Sequence, residues 1–246
     1  MSEWWTYRPS DFLLFSARTY YRLFELYNAA LWPGHLLALG LGLALWLALL
    51  RRRSWAPSAA YVLLAVAWLW VGWAFHWQRF ASINWAATWY AAAFAIEGLL
   101  LLGCAVLAAS GCAAPAPGRT RTLGLGLLLF AIVMQPALGV LLGRPWQQAE
   151  VFGLAPDPTA LGSLGVLLLM PMQPRATPGA AAPHRPAMTW LLWPIPLLWC
   201  AVTGTTLTTM HAADALLMPV AALLAVVAAA KLRRQRRHSG GRDAPA

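Results

Sequence analysis

The stretch that decides the fold is WPGHLLALGLGLALWLALLRRR, residues 32–53, in which an apolar run ends in three consecutive arginines. About 20 apolar residues are enough for one helix to cross the hydrocarbon core of a bilayer. A basic cluster beside such a helix tends to stay in the cytoplasm. Similar runs recur along the chain, and none alternates as the strands of a membrane β-barrel do. The sequence therefore predicts an all-α, polytopic membrane bundle, because only helices satisfy their own backbone groups in lipid.

The composition agrees with a membrane protein. Of the 246 residues, 60% are hydrophobic and only 11% are charged, which is too little charge to cover the surface of a soluble domain. The net charge of +10 comes from basic residues at the ends of apolar runs and in the C-terminal tail. This pattern suits anionic lipid head groups rather than nucleic acid, for which no recognition module is visible.

Seven apolar runs predict seven transmembrane helices. They occupy residues 30–50, 58–77, 86–109, 122–142, 158–174, 188–209 and 214–230. An amphipathic segment, 1–29, precedes this 30–230 domain, and a basic tail, 231–246, follows it. The amphipathic segment is expected either to lie in the membrane interface or to pack on the surface of the bundle.

The distribution of basic residues predicts the orientation. Seven crossings with a periplasmic N-terminus place thirteen of the 18 Lys and Arg residues in the cytoplasm. Six crossings, without the short fifth run and with the N-terminus inside, give the same total. Seven are favoured because six would export Arg51–Arg53 and the Arg119/Arg121 pair, which lie in short loops next to spans. Both arrangements put the C-terminus in the cytoplasm, as expected for a multi-pass protein of the bacterial inner membrane.

Three motifs resemble those of a bacterial integral-membrane family of unknown function, some of whose members carry automatic permease labels. The motifs are YNAALWP with Asn28, Trp32 and Pro33, INWAA with Asn84, and FGLAPDPTALGSLGVLLL with Asp157, Pro158 and Thr159. The second motif departs from the family pattern, which has proline where this chain has Trp85. The resemblance implies a polytopic inner-membrane protein and carries over no catalytic residues.

Polar side chains inside apolar runs predict where function resides, because they usually face the bundle interior or a cavity. We predict a substrate or ion pocket in the outer half of the bundle, formed by Glu97, Gln135, His76, Thr208, His211 and Asp214. Glu97 is the most prominent, and its structural alternative is a neutral carboxyl hydrogen-bonded to a neighbouring helix. Asp157 is predicted to cap the fifth helix, with Pro158 at its first position, and the preceding loop is a candidate lid.

Three classes of function remain open at this point. The leading hypothesis is a small-solute or ion permease. The first alternative is a metal-, haem- or quinone-binding membrane protein that uses His35, His76 and His211. The second is a non-catalytic partner subunit or homo-oligomer. No nucleophile elbow or phosphate loop is present to indicate an enzyme, and the sequence specifies neither substrate nor cofactor.

Overall fold

The protein is all-α throughout the part that the computed structural model describes, which is residues 15–109, 116, 118–170 and 190–240. The helices are α1 (Ala17–Leu31), α2 (Gly34–Leu50), α3 (Ala56–Trp70), α4 (Ala87–Ala109), α5 (Gly118–Leu129), α6 (Gln135–Leu141), α7 (Pro156–Leu169), α8 (Pro194–Thr209) and α9 (Leu217–Gly240). Each of the seven predicted apolar runs coincides with one or two of these helices. The end of the fifth run, the start of the sixth and the outer parts of both terminal segments lie outside the described residues.

Helix length and composition identify the strongest candidates for membrane spans. Ala56–Ser82, Ala87–Val106 and Gly118–Leu141 are each long and apolar enough to cross a bilayer, and α1 with α2 would form a fourth span if counted together. Helix α7 has 14 residues, which corresponds to about 21 Å at 1.5 Å per residue. Among the described residues the structure therefore supports three or four membrane-length spans, fewer than the seven that the hydropathy pattern predicts.

Helix α1 meets α2 at 90° and packs across one end of the bundle. Its N-terminus is fixed by Ser16, whose hydroxyl accepts the Thr19 N–H at 3.2 Å. The residues that α1 buries, Tyr20, Leu23, Phe24 and Tyr27, follow the i, i+3, i+4, i+7 spacing of one helix face. The described part of the amphipathic segment packs this face against the bundle.

Helix α7 is the centre of the bundle, because all of its residues are buried. A helix that is apolar all round belongs inside a protein, and small residues let its neighbours approach closely. A Cβ built on Gly165 would lie only 2.8 Å from the Gly124 carbonyl oxygen of α5. The side chain of Trp68 also reaches α7, where its Nε1 donates to Ser163 Oγ at 2.8 Å.

Two helices contain a π-helical turn, a feature that often marks functional sites. Val71–Trp77 continues α3, and Phe130–Met134 joins α5 to α6. The second precedes Pro136, which has no N–H for the regular helical ladder. His76 lies in the first π-helical turn, and Gln135 follows the second directly. Two of the predicted pocket residues therefore sit where the helices depart from regular geometry.

The bundle has two chemically different ends. At the end that we call the basic end, the Arg121 guanidinium donates to the Leu49 and Leu50 carbonyls at the end of α2, and Arg233 of α9 lies 3.7 Å from the Trp190 ring centroid. At the opposite, polar end, Asn28 bonds to Ala149 O. The end of α2 and the start of α5, which carries Arg121, therefore meet at the basic end.

Candidate functional site

The candidate site is a group of buried polar side chains at the polar end, which we call the polar cluster. Its members come from α6, the following loop, the first turn of α7, helix α8 and the turn before α9, and they are Gln135, Arg144, Glu150, Asp157, Trp199, Thr203 and Asp214. Gln135 and Asp214 were predicted as pocket residues and Asp157 as a motif position. The structure brings these three into one neighbourhood from segments far apart in the sequence.

Arg144 is the one cation of the polar cluster. Its Nη2 donates to Asp214 Oδ2 at 2.7 Å, and its Nη1 lies 4.0 Å from Glu150 Oε1. The guanidinium carbon sits 4.4 Å from the centroid of the Tyr21 ring, a cation–π distance. Gly139 leaves room for this side chain, since a Cβ there would lie 3.3 Å from Arg144 Nε. Arg144 therefore ties α1, α6 and the start of α9 together.

Asp157 links α7 to α8 and does not cap α7. The helix begins at Pro156 with Ala155 at the N-cap position, so the prediction that Asp157 caps a helix starting at Pro158 is wrong. Asp157 Oδ1 accepts hydrogen bonds from Trp199 Nε1 at 2.7 Å and Thr203 Oγ1 at 2.8 Å. Pro156 presets the backbone for the first turn without needing a side-chain cap, which leaves the carboxyl of Asp157 free to reach α8.

The polar cluster contains more acidic than basic groups. Glu150, Asp157 and Asp214 face the single guanidinium of Arg144. Burial raises the pKa of Glu150, the charge on Asp157 raises it further, and Arg144 opposes both effects. Gln135 reaches the Glu150 carboxyl, yet Glu150 Oε2 and Gln135 Oε1 are buried without a hydrogen-bond partner in the described part of the chain. Glu150 is therefore the carboxyl of the cluster most favoured to hold a proton.

His76 lies beside the polar cluster in an aromatic setting. Its ring centroid is 4.9 Å from that of Trp199 and 4.4 Å from that of Phe94. The side chain is fully buried, and neither ring nitrogen has a hydrogen-bond partner among the described residues. Because Trp199 also donates to Asp157, a single indole lies between the imidazole and the Asp157 carboxyl.

Glu97 lies further from the polar end, three residues beyond Phe94 on α4. It is fully buried, and both carboxyl oxygens are without a hydrogen-bond partner in the part of the chain that the structure describes. The structural alternative, a Glu97 carboxyl hydrogen-bonded to a neighbouring helix, is not found among the described residues. Desolvation without compensation favours the neutral form of a carboxyl.

Two predicted pocket residues do not join the polar cluster. Thr208 donates back to the Gly204 carbonyl of its own helix at 2.6 Å, as threonines in apolar helices often do. His211 follows α8 in a left-handed conformation with φ 55° and is exposed to solvent. The prediction relied on spacing along the chain, whereas Thr208 bonds to its own helix and His211 faces outward.

The three histidines proposed as metal or haem ligands are not brought together. Among the described residues, no group of three or more His, Cys, Asp and Glu side chains is arranged to hold a metal ion. His35 Nε2 instead lies 3.1 Å from Asn28 Oδ1, His76 is enclosed by aromatic rings, and His211 is exposed. The residues present therefore give no support to a shared metal site.

The family motifs serve mainly to hold the polar end together. Asn28 Nδ2 donates to the Gln147 and Ala149 carbonyls, which joins α1 to the loop before α7. Asn84 Oδ1 accepts the Ala86 N–H at 3.0 Å ahead of α4. Thr159 Oγ1 donates to the Ala155 carbonyl and accepts from Gly153 N–H.

The remaining motif positions lie at helix starts. Pro33 immediately precedes α2, and Pro158 belongs to the buried first turn of α7. Trp32 is exposed and makes an edge contact with Trp146 at 6.4 Å between ring centroids. These positions shape the end of the bundle on which the polar cluster is built.

Sequence reasoning missed four members of the polar cluster. Arg144 and Glu150 belong to a loop, where isolated charges normally indicate solvent, and Trp199 and Thr203 resemble ordinary apolar-helix residues. The available signal was the length of the segment from Gly143 to Asp157, because long polar loops within compact domains are often functional.

Residues 17–239 match the model of the Family of unknown function (DUF6064), so the chain belongs to that family. No curated protein and no solved structure matches the chain. The family description assigns no activity.

Proposed function

We propose that this protein is a multi-pass membrane permease that couples movement of a proton to its transport activity through the polar cluster, His76 and Glu97. The observation that carries the proposal is the row of buried titratable groups with unsatisfied atoms, Glu150, His76 and Glu97. Polar groups of this kind are expensive within a membrane protein and mark ion or proton pathways.

The arrangement supports proton transfer better than binding of a multivalent cation. Carboxyl and imidazole groups exchange protons and need no converging ligand shell. The polar cluster has an excess of acidic groups, and it is not arranged as a metal site in the described residues. In the proposed cycle the neutral Glu97 first releases its proton toward the basic end. The resulting carboxylate is reprotonated from Glu150, with His76 as the intermediate base, and Glu150 then takes up a new proton at the polar end. Transfer across the gaps requires transient water, which polar side chains at these depths attract.

We further propose seven crossings with the basic end in the cytoplasm, because that arrangement keeps the arginines next to short loops inside. With the basic end in the cytoplasm, the polar cluster faces the periplasm, as the predicted outer pocket requires. The basic end would then contact anionic lipids of the inner leaflet. A cysteine introduced at Ser54, beside Arg51–Arg53 in the loop after α2, tests this orientation. Cys104 and Cys200 are buried, and a Cys112→Ser background removes the third native thiol. In that background, labelling of the introduced cysteine in whole cells by a membrane-impermeant maleimide is expected to require permeabilisation. Labelling of intact cells would contradict the orientation.

Proton movement is tested in proteoliposomes that contain a pH-sensitive dye and carry an imposed potential. We expect the wild-type protein to acidify or alkalinise the lumen according to the sign of the potential. The Glu97→Gln variant is expected to lose this flux at least tenfold, because it keeps the shape but cannot carry a proton. The matched control is Glu25→Gln, since Glu25 is a partly exposed residue paired with Arg22 outside the row. Equal proton flux in Glu97→Gln and wild type would show that Glu97 does not carry the proton.

A further inference from the structure

A cavity of about 640 Å³ lies at the junction of α1 and α2, on the far side of the loop that carries Glu150. Its apolar wall is formed by Leu26, Trp32, Leu36, Leu39, Trp146 and Val151. Trp32, Leu36 and Trp146 are each about 60% exposed, at 58%, 61% and 62%. In a membrane protein such a surface faces lipid, so the cavity is open to molecules that enter sideways from the bilayer. Its volume is typical of a site for a small organic ligand.

The donors and acceptors on the polar wall of this cavity can be assigned, beginning with the side chain of Asn28. Its Nδ2 lies 2.7 Å from Gln147 O and 2.8 Å from Ala149 O. Backbone carbonyls only accept hydrogen bonds, so both amide hydrogens of Asn28 are used and its Oδ1 is fixed as an acceptor. The partner of this oxygen is His35 Nε2 at 3.1 Å. His35 Nε2 must therefore carry the hydrogen and donate it.

This assignment also determines that the other ring nitrogen of His35, Nδ1, is a hydrogen-bond acceptor. His35 lines the cavity and is 8% exposed. A buried imidazolium without a counter-charge is unfavourable, and in the neutral ring with hydrogen on Nε2 the Nδ1 atom is an acceptor. His35 Nδ1 is buried and has no hydrogen-bond partner among the described residues. His35 is thus a cavity-lining residue with one unpaired acceptor, the atom that a ligand with an O–H or N–H group would satisfy.

The charged residues at the cavity rim compensate each other. Arg22 and Glu25 both line the cavity and form an ion pair with one another. A neutral head group therefore fits the rim better than a phosphate or an ammonium group, either of which would have to displace one member of the pair. The remaining contacts are apolar or aromatic, which suits a hydrocarbon chain or a ring.

We propose that this cavity binds a neutral lipophilic molecule whose hydroxyl group donates a hydrogen bond to His35 Nδ1. The ligand class comprises long-chain alcohols and lipophilic phenols, including the reduced, hydroxyl-bearing form of a quinone. This site is separate from the polar cluster and does not depend on proton transport through it. The alanine at position 29, which also lines the cavity, leaves space for the ligand beside α1.

The test uses 11-bromoundecan-1-ol and its methyl ether, a pair of probes that differ only in the hydroxyl donor. Their bromine quenches tryptophan fluorescence on contact, and Trp32 and Trp146 line the cavity. With the full-length protein in nanodiscs, we expect saturable quenching by the alcohol. Its half-saturating mole fraction should be about 3- to 10-fold lower than that of the ether, the range of one net hydrogen bond. In the Trp32→Phe/Trp146→Phe variant the saturable component should disappear.

Two further variants separate the role of His35 from general partitioning into lipid. His35→Leu is expected to reduce the preference for the alcohol over the ether to the level seen in empty nanodiscs. Ala29→Phe, which fills the cavity without touching the Asn28 hydrogen bonds, should abolish saturable quenching by both probes. The proposal is overturned if wild type shows no preference between the probes, or if His35→Leu retains it. It is also overturned if Ala29→Phe leaves binding intact. Proton flux in liposomes is a separate readout, so failure of either proposal leaves the other standing.

Discussion

The two ends of the bundle handle charge in opposite ways. At the basic end, Arg51–Arg53 are exposed, and Arg121 donates to the Leu49 and Leu50 carbonyls in the last turn of α2. At the polar end, Glu150 and Asp157 are buried, and their neighbours come from several segments. Four of the five acidic residues in the described part of the chain lie at this end, and the fifth, Glu97, lies inside the bundle. Charged side chains at the basic end are thus stabilised mainly by solvent, whereas those at the polar end depend on protein partners.

The largest loss of stability is expected when the cation at the polar end, Arg144, is removed. Arg144→Ala leaves Asp214 and Glu150 buried without their counter-charge. We expect a loss of about 3 kcal/mol in the free energy of unfolding, the lower end of the range for removing one partner of a buried pair, because Arg144 and Asp214 are 16% and 10% exposed. The measurement is denaturant unfolding in detergent.

A double-mutant cycle with Asp214→Asn distinguishes charge from packing. The double variant is expected to be more stable than the sum of the two single changes predicts, because it removes both members of the pair. Strictly additive losses would mean that Arg144 acts through its stacking on Tyr21.

The next effect concerns the link between α7 and α8. Asp157→Ala leaves Trp199 Nε1 and Thr203 Oγ1 buried without an acceptor, so we expect a loss of about 1–3 kcal/mol. Asp157→Asn retains an acceptor oxygen and should lose less. The control is Asn84→Ala, which removes only a local bond ahead of α4. A smaller loss for Asp157→Ala than for Asn84→Ala, in thermal or denaturant unfolding, would contradict the assignment.

The polar end should also make stability depend on pH. The pKa of Glu150 in the folded protein is raised above its ordinary value of 4.5, so the folded state binds more protons than the unfolded state above that pH. Stability is therefore expected to fall as the pH rises from 4.5 through the raised pKa, by at most about 1.4 kcal/mol per pH unit for one proton. Glu150→Gln should flatten this dependence, measured as unfolding free energy against pH. An unchanged slope in the variant would assign the dependence to another group.

The smallest effect is expected at the basic end. Arg121→Ala removes hydrogen bonds to the Leu49 and Leu50 carbonyls, which water can replace. We expect a loss of about 0.5–1.5 kcal/mol. The Arg53→Ala control, in an exposed position, should change stability by less. A loss for Arg121→Ala comparable to that for Arg144→Ala would erase the contrast between the two ends.

Much of the helical architecture could be predicted from the sequence, because an apolar run is recognised from neighbouring residues alone. The described part of each apolar run is largely helical, and Arg121 of α5 came to lie at the end of α2 that precedes Arg51–Arg53. Glu97 and His76 were singled out correctly as buried polar groups. The predicted pocket was wrong at Thr208 and His211, because their positions in space were inferred from their positions along the helix. The prediction was wrong again at Asp157, because cap rules consider only neighbours in sequence.

The sequence by itself determined that most of this chain consists of apolar helices. A run of about 20 apolar residues is enough to predict one membrane-length helix, whatever the rest of the chain does. Only the tertiary structure decided that α7 lies at the centre, that α1 turns by 90° across the polar end, and that Arg144 and Glu150 leave solvent to join Asp157 and Asp214. The physical reason is that burial of a loop charge depends on partners that the chain brings from distant segments. No local pattern records those partners.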